Sequence, residues 1–531
     1  MSTPFLYDGV QTNVIAPQPV VPVGNPNLPS FMVGTASWGK LNTPIPFSNT
    51  NDLYNNLGVI QQVASDLPTH GTQYVLACQS SGSSGNCYAI RVSDGTDTAA
   101  TITINDTQST PGNVLVLTAN CTGIRGNSGT ASITPNAKWT SALPIYDLTL
   151  TISGAQPEVF QAIVANNGTV YSATAFVSNA RSAINSGLNL TRGASSYWVA
   201  SAPGTQSTNV PLLATAFTSS NTGTNGSASL TSANYVGISG TTPTGMYAGV
   251  NLGCGQFILA GCTDQTIAST MAAFAVASNS ISVGPAFPQN TSTATAITSK
   301  QTTNFNSVNS VGILDFVQWF DNTVGQIRSL SSDSNVLGII GSISPEQSPG
   351  NKPQFGLAHL VSTDRTSSSN YNPRAGTESS QATQAGLTWI GPMNRNKSFL
   401  GLANGQNASG VAGQDGINYP RLTNYLKTVL PNIVGSFVDA LQGTSNNDPT
   451  RRGVSNTLNN FFGQLKLNGQ IDSFNVVCDT TNNTPTTIAA GQLNVSIAVR
   501  YLGVARFINL NLQGGVNVTI ASSASQVTQA A

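Results

Sequence analysis

The sequence predicts an α/β and α+β multidomain chain: a layered α/β core, a β-rich insertion, and a C-terminal helix-plus-sheet domain, with an extended strand arm at each end. Three observations predict it. Helical and strand-like periods alternate in 25–92 and again in 201–390. The helical period gives way in 93–200 to short β runs at hairpin spacing, and within 391–506 an amphipathic helix leads into two alternating strands. At 531 residues the chain is long enough for about three domains, each able to bury a core.

Residues 1–24 carry Pro4, Pro17, Pro19 and Pro22 among Val10, Val14, Ile15, Val20 and Val21. Proline excludes a helix interior, so this stretch is an extended arm or a disordered leader. From Pro29, SFMVGTASWG reads as a buried strand closed by a glycine turn, and NDLYNNLG as a helix capped by Asn51 or Asp52 and stopped by Gly58. Gln73 to Ala77 and Cys87 to Val92 read as two more strands. In 93–200 the strands are Thr101 to Ile104, Val114 to Ala119, Ala131 to Thr134 and Tyr146 to Ile152. The glycines of CTGIRGNSG lack a following helix and a ribose-binding acid, so Gly126 and Gly129 are turn residues.

In 201–390, Gly255 to Ala260 is a short apolar strand and Thr266 to Ala277 a helix with Ile267, Met271, Phe274 and Ala275 on one face. Val311 to Ile327 repeats the amphipathic helical pattern. Val336 to Ile343 reads as a continuous apolar strand of the kind buried on both faces of a parallel sheet. SISPEQSPGNKPQ is a loop, and Tyr371 to Gln384 is polar and exposed. In 391–506, Tyr419 to Gly443 holds two helices separated at Pro431. The next helix places Val454, Leu458, Phe461, Phe462 and Leu465 on one face, which needs a sheet to cover. Ile471 to Cys478 and Leu493 to Tyr501 offer it through Phe474, Val476, Leu493, Val495, Ile497 and Val499. A two-stranded sheet is marginal and has two open edges, so further strands are expected from other copies of the chain. In 507–531, Ile508, Leu510, Leu512, Val516, Val518 and Ile520 alternate with polar residues. They form a strand able to augment an edge, or a last strand of the same chain.

Only 8% of residues are charged, with 20 basic against 20 acidic, so no net field steers the chain onto nucleic acid or an anionic membrane. Low charge favours self-packing, although a β-rich virion or cell-surface adhesin shares this composition. The start MSTPFLYDGV has no basic region followed by an apolar core, and no run reaches about 18 apolar residues, so neither an export signal nor membrane insertion is expected. Six cysteines without C-x-x-C spacing and only two histidines argue for buried thiols and against a metal site. His70 and His359 are the candidate bases, and neither lies in a nucleophile motif. No Walker loop or tight carboxylate pair occurs, so no catalytic residue or cofactor is assigned and no enzyme is expected. A polysaccharide-degrading tail enzyme with distant carboxylates is the alternative. From Gly391 onward there are nine basic and five acidic residues, against eleven and fifteen before it. Arg421, Lys427, Arg451 and Arg452 on the C-terminal helices belong to a solvated face or to an acidic partner.

The stretches FMVGTASWGKLNTPIPFSNTNDLYNNLG, SPGNKPQFGL and GQLKLNGQIDSFNVVCDTTNNTPTTIAAGQLNVSIAVRYLGVARFINLNLQGGVNVTI resemble, in that order, parts of the contractile tail sheath proteins of bacteriophages. Helix, strand, CD-x-x-NN turn and second strand in sequence are the most specific feature. The resemblance implies a subtilisin-like layered fold without protease role for 201–390. It implies that the arms, through Val14, Ile15, Val20 and Val21 and through the 508–520 residues above, pair with the acceptor sheet of neighbouring copies. It implies stacked hexameric rings forming a helical sheath in the virion, assembled in the host bacterial cytoplasm, with the inner tail tube, baseplate and tail terminator proteins as partners. Contraction on baseplate triggering would drive the tube through the host envelope during genome delivery. Arg421, Lys427, Arg451 and Arg452 would then face the tube. A middle segment rich in Thr, Ser and Asn departs from the family pattern.

Overall fold

The computed structural model describes residues 28–505 except 81–82, 84, 167, 169, 188–191, 214–215, 323, 351, 353–359, 365–375, 393–399 and 412. Both arms, His359 and most of SPGNKPQFGL lie outside the described residues. The first body segment holds β1 (Ser30–Gly34), β2 (Ile45–Phe47), α1 (Thr50–Leu57), α2 (Leu67–Ser80) and β3 (Cys87–Arg91). The insertion follows with β4 (Thr101–Asn105), β5 (Asn113–Ala119), β6 (Thr130–Pro135), β7 (Ile145–Thr151), β8 (Glu158–Val164), α3 (Ala173–Ser186), β9 (Trp198–Ser201) and β10 (Phe217–Thr218). The body resumes with α4 (Ser232–Val236), β11 (Gln256–Leu259), α5 (Ala268–Ala277), β12 (Ile281–Val283), α6 (Thr293–Thr302), β13 (Ser310–Ile313), β14 (Phe316–Asp321), β15 (Gln326–Ser331), α7 (Asp333–Ser342), β16 (Leu360–Thr363), α8 (Gly376–Gln384), β17 (Leu387–Thr388), β18 (Ile390–Pro392) and β19 (Leu400–Leu402). The C-terminal unit holds α9 (Asn418–Val434), α10 (Pro449–Leu467), β20 (Ser473–Val477), α11 (Pro485–Ala489) and β21 (Ser496–Arg500).

Every side chain of β1 is buried because the strand lies inside a sheet covered on both faces. The order is β17-β13-β12-β11-β1-β3-β2, parallel from β17 to β3 with β2 antiparallel at the edge. Met32 and Ile258 point to the layer of α2 and α7, where Leu67, Tyr74, Val75, Leu337 and Ile340 pack. Phe31, Val33 and Phe257 point to the other layer, against Tyr235, Met271 and Phe274. The period of two along β1 thus feeds two cores. α1 is the expected helix, capped by Asn49 one turn earlier than Asp52, and Gly58 ends it.

Three body elements differ from the sequence expectation. Gln73 to Ala77 lies in α2 and Val336 to Ile340 in α7, both helices wedged between sheet and neighbours. Nearly all their residues are buried, which erases the polar stripe that marks a helix. Val311 to Ile327 is no helix: β13 is fully buried, and β14 and β15 form an antiparallel hairpin in which Val317, Trp319 and Asp321 alternate inward.

The insertion packs two sheets, β4-β5-β9 and β10-β6-β7-β8, with α3 over one core containing Phe160, Phe176 and Trp198. The four expected strands are present, while α3 is not among the expected elements. β10 and the Thr98–Thr224 bridge carry the unit beyond the expected limit at 200. It is clamped to the body. Buried Arg91 donates to the carbonyls of Gly39, at 2.7 Å, and Thr122, at 2.8 Å. The Arg125 guanidinium lies within 6 Å of both the Trp38 and the Tyr197 ring and donates to Asn55 O at 2.7 Å. At Gly123 (φ 127°) a Cβ would sit 2.2 Å from Ser37 O, so only glycine permits this approach.

Candidate strand-docking site

Asp448 caps α10, its carboxylate accepting from Arg451 N at 2.9 Å, and Pro449 occupies the first turn where its missing N–H costs nothing. Val454, Leu458, Phe461, Phe462 and Leu465 are all buried, as their spacing predicts. α9 packs on this helix as one element: Pro431 is in its last turns, and the carbonyl it deprives of a helical partner belongs to exposed Lys427. The expected separation into two helices at Pro431 is therefore corrected. A short 3-10 turn, Gly435–Phe437, follows.

β20 and β21 lie on this helical layer as an antiparallel pair, with Phe474 opposite Val499 and Val476 opposite Ile497. The inward row is Phe474, Val476, Ile497 and Val499; Phe474 stacks on Phe462 at 5.5 Å. Leu493 and Val495 join the same core from the segment just before β21, which begins at Ser496, later than expected. On the outward row Asn475, Ser496, Ala498 and Arg500 are exposed, with half-buried Val477 opposite Ser496. Among the described residues no third strand pairs with either edge. The inward row is only half-buried, in contrast to the face of α10 beneath it. Beyond β21, Tyr501 stacks on Tyr419 at 6.2 Å and lines a groove of about 580 Å³ with Val276, Val308 and Lys427.

The CD-x-x-NN turn holds the two strands in register through side chains. Asn482 Nδ2 donates to Val477 O at 2.7 Å, and Thr481 N donates to Asp479 Oδ1 at 2.8 Å. Asn483, 1% exposed, donates to Asp479 O and Asn494 O and accepts from Asn494 N at 2.6 Å. These short polar side chains replace backbone partners that the irregular connection leaves open.

The four basic residues assigned to a partner-facing surface separate into two kinds. Lys427 and Arg452 are exposed. Arg421 and Arg451 are buried, at 6% and 1% exposure, and that part of the expectation is corrected. Arg421 donates to the carbonyls of Ile340 and Ile343, both at 2.7 Å, closing the C-terminus of α7 where a cation is favoured. Burial lowers its pKa to about 10, opposed by Glu346. Arg451 donates to Gly443 O at 2.6 Å and to Ser445 O, tying down the loop before α10. Among the described residues of this domain, exposed Lys427, Arg452, Lys466 and Arg500 are accompanied by exposed Asp439, Asp472 and Asp479, and Arg395, Lys397 and Arg506, which make up most of the basic surplus, lie outside the described residues.

His70 is sealed in the body, its Nε2 against the carbonyl of Ala64 at 2.9 Å. Five of the six thiols are buried and Cys121 is half-buried; burial pushes Cys78 and Cys254 up to about 12, the behaviour of small apolar side chains. Among the described residues no group of three His, Cys, Asp or Glu is placed to hold a metal, and no helix is long and apolar enough to cross a membrane.

Residues 417–513 match the family model of the phage tail sheath C-terminal domain. No curated protein matches the chain significantly. By structure the chain is similar to a sheath tail protein of Listeria innocua, with 15% identity over 90% of this chain and 95% of that one and a TM-score of 0.57. It is also similar to a sheath tail protein of Desulfitobacterium hafniense, with 14% identity over 90% and 94% and a TM-score of 0.54. The mixed α/β architecture with several sheets is thus that of sheath tail proteins, and the match of 417–513 falls on the strand-docking site.

Proposed function

We propose that this phage-tail-sheath-like chain is a structural subunit that polymerises into the helical contractile sheath of a phage tail, without enzymatic activity of its own. The observation that carries the reading is the β20–β21 sheet, whose half-buried apolar row and two unpaired edges, among the described residues, ask for added strands. Residues 10–23 and 507–520 are the proposed donors from neighbouring copies, through Val14, Ile15, Val20 and Val21 and through Ile508, Leu510, Leu512, Val516, Val518 and Ile520. Phe474, Val476, Leu493, Val495, Ile497 and Val499 belong to the acceptor sheet. Contacts of this head-to-tail kind do not close on themselves and build a helical tube.

The layered body reads as a subtilisin-like domain without protease role, a reading supported by its parallel sheet between two helical layers. In this reading stacked hexameric rings surround an inner tail tube and are bounded by baseplate and terminator proteins. On baseplate triggering the bodies repack while the donated strands keep copies tethered, and the energy comes from interfaces, with no cofactor. The sheath is a virion component assembled in the host cytoplasm, and Lys427 and Arg452 are its proposed tube-facing cations.

Negative-stain microscopy of the purified protein tests this directly. Long, regularly striped tubes are expected, and deletion of 1–24 or of 507–531 abolishes them. Monodisperse monomers from the full chain, insensitive to both deletions, would sink the strand-exchange reading.

A further inference from the structure

α2 and α7 bring their first turns together beside the carboxyl ends of β1 and β11, and between them lies His70, with no exposed surface. Both ring nitrogens face oxygen. Nε2 is 2.9 Å from the carbonyl of Ala64 in the loop before α2, and Nδ1 is 3.3 Å from Asp333 Oδ1 in α7. A carbonyl oxygen only accepts. Asp333 Oδ1 already accepts from Ser331 Oγ and from Ser334 N, both at 2.8 Å, so it too faces the ring as an acceptor. A neutral imidazole carries one N–H and would turn a ring lone pair onto one of these oxygens. The Nδ1 contact is at ion-pair distance without a well-formed hydrogen bond, which makes its attraction chiefly one of charge.

We propose that His70 is an imidazolium at neutral pH, a buried charged pin joining α2, α7 and the loop of Ala64, and that its deprotonation in alkaline solution loosens the body. The groups around it are consistent with one cation held by carboxylates. Asp66, from the same loop, accepts from Gln61 N and Thr69 N, both at 3.0 Å, and from Thr69 Oγ1 at 2.6 Å, while its Oδ1 is buried without a hydrogen-bond partner. Tyr235 of α4 and Cys262 after β11 also neighbour Asp333. Burial raises both, Cys262 to about 11, so neither adds charge at neutral pH. Burial alone would lower the pKa of His70, but Asp333, then the Ala64 carbonyl and Asp66, outweigh it and the net shift is upward.

The direction of the pH effect follows. A histidine whose folded pKa exceeds its unfolded value, about 6.5, contributes stability that is fully present below that value and lost as pH rises through the folded pKa. Burial pushes Asp66 up to about 6, so its own loss occurs between its unfolded value and about pH 6, below the window of His70.

The sequence contains two histidines, so ¹⁵N-histidine labelling of a His359→Gln protein leaves His70 as the single signal. Solution or magic-angle-spinning NMR is expected to show both ring nitrogens protonated at pH 7, with a midpoint above that of free histidine. The Tm of the wild-type protein should fall as pH rises from 7 to about 9.5, and His70→Gln should flatten that decline. A neutral-imidazole pattern at pH 7 would overturn the proposal, as would an unchanged decline in His70→Gln. If His70→Gln does not fold, the NMR result on the histidine-bearing protein decides.

Discussion

Arg421 spans the junction between the C-terminal unit and the body, and its guanidinium acts on the terminal carbonyls of α7. Removing it leaves buried acceptors unpaired, so Arg421→Ala should lower stability by roughly 2–4 kcal/mol, against roughly 0.5 kcal/mol or less for exposed Arg452→Ala. Denaturant unfolding of the two variants checks this, and equal effects would refute the structural role. Arg421→Lys should recover only part of the loss, because a single ammonium can replace Nη2 at the Ile340 and Ile343 carbonyls but not also Nη1 at those of Ser344 and Gln347. Asn483→Ala should cost roughly 1–3 kcal/mol, since it leaves both the N–H and the carbonyl of Asn494 without this partner. Residue type and position marked these basic side chains as important, but burial divided them. Arg421 and Lys427 sit on one helix, and nothing in the local sequence tells the charge that closes another helix from the charge that meets solvent.

At the scale of elements, α2 and α7 pack closely against each other. A Cβ built on Gly338 would sit 2.6 Å from Ala77 Cβ and 2.8 Å from Tyr74 O, which explains a glycine in mid-helix. Ala would gain about 1 kcal/mol of helix propensity but meet about 1–3 kcal/mol of overpacking, and Leu considerably more of the latter. Gly338→Leu is therefore expected to be clearly destabilising in thermal unfolding, and an unchanged Tm would show that the two helices separate easily. The same packing hid both helices from sequence reading. Where every face of a helix is buried the apolar period of 3.6 vanishes, and VLGIIGSI is indistinguishable from a buried strand. α3 is the opposite case: Phe176, Val177, Ala180, Ala183 and Ile184 do carry a helical spacing, capped by Ser172, yet its Ser- and Asn-rich surroundings resemble the neighbouring β runs. By contrast β4 to β7, α5, α10 and both C-terminal strands were legible, because each presents one face to solvent and one to a core.

At the scale of the whole molecule the feature that most needs explanation is a sheet of two strands on a well-formed helical layer. The candidate site was legible as a pattern: alternation identified which side chains of β20 and β21 face inward, and a sheet of only two strands raised the expectation of further ones. The sequence marked the turn and these basic residues but not how they are bonded: Asn483, Arg421 and Arg451 are buried and bind backbone, Arg421 that of a distant helix. If the edges are docking sites, a donated strand need not be covalently part of the acceptor. A peptide of residues 507–520 should bind the chain lacking 507–531, and a peptide of residues 10–23 the chain lacking 1–24. Affinity should vary little with salt, since main-chain hydrogen bonds and apolar side chains carry it rather than charge. Val499→Asp should weaken binding at least tenfold, because the inward row must cover the incoming strand; fluorescence anisotropy with labelled peptides reads both effects. Binding that persists in Val499→Asp, or that collapses between low and physiological salt, would point to a charged surface instead, with Lys427 and Arg452 as the groups to test next.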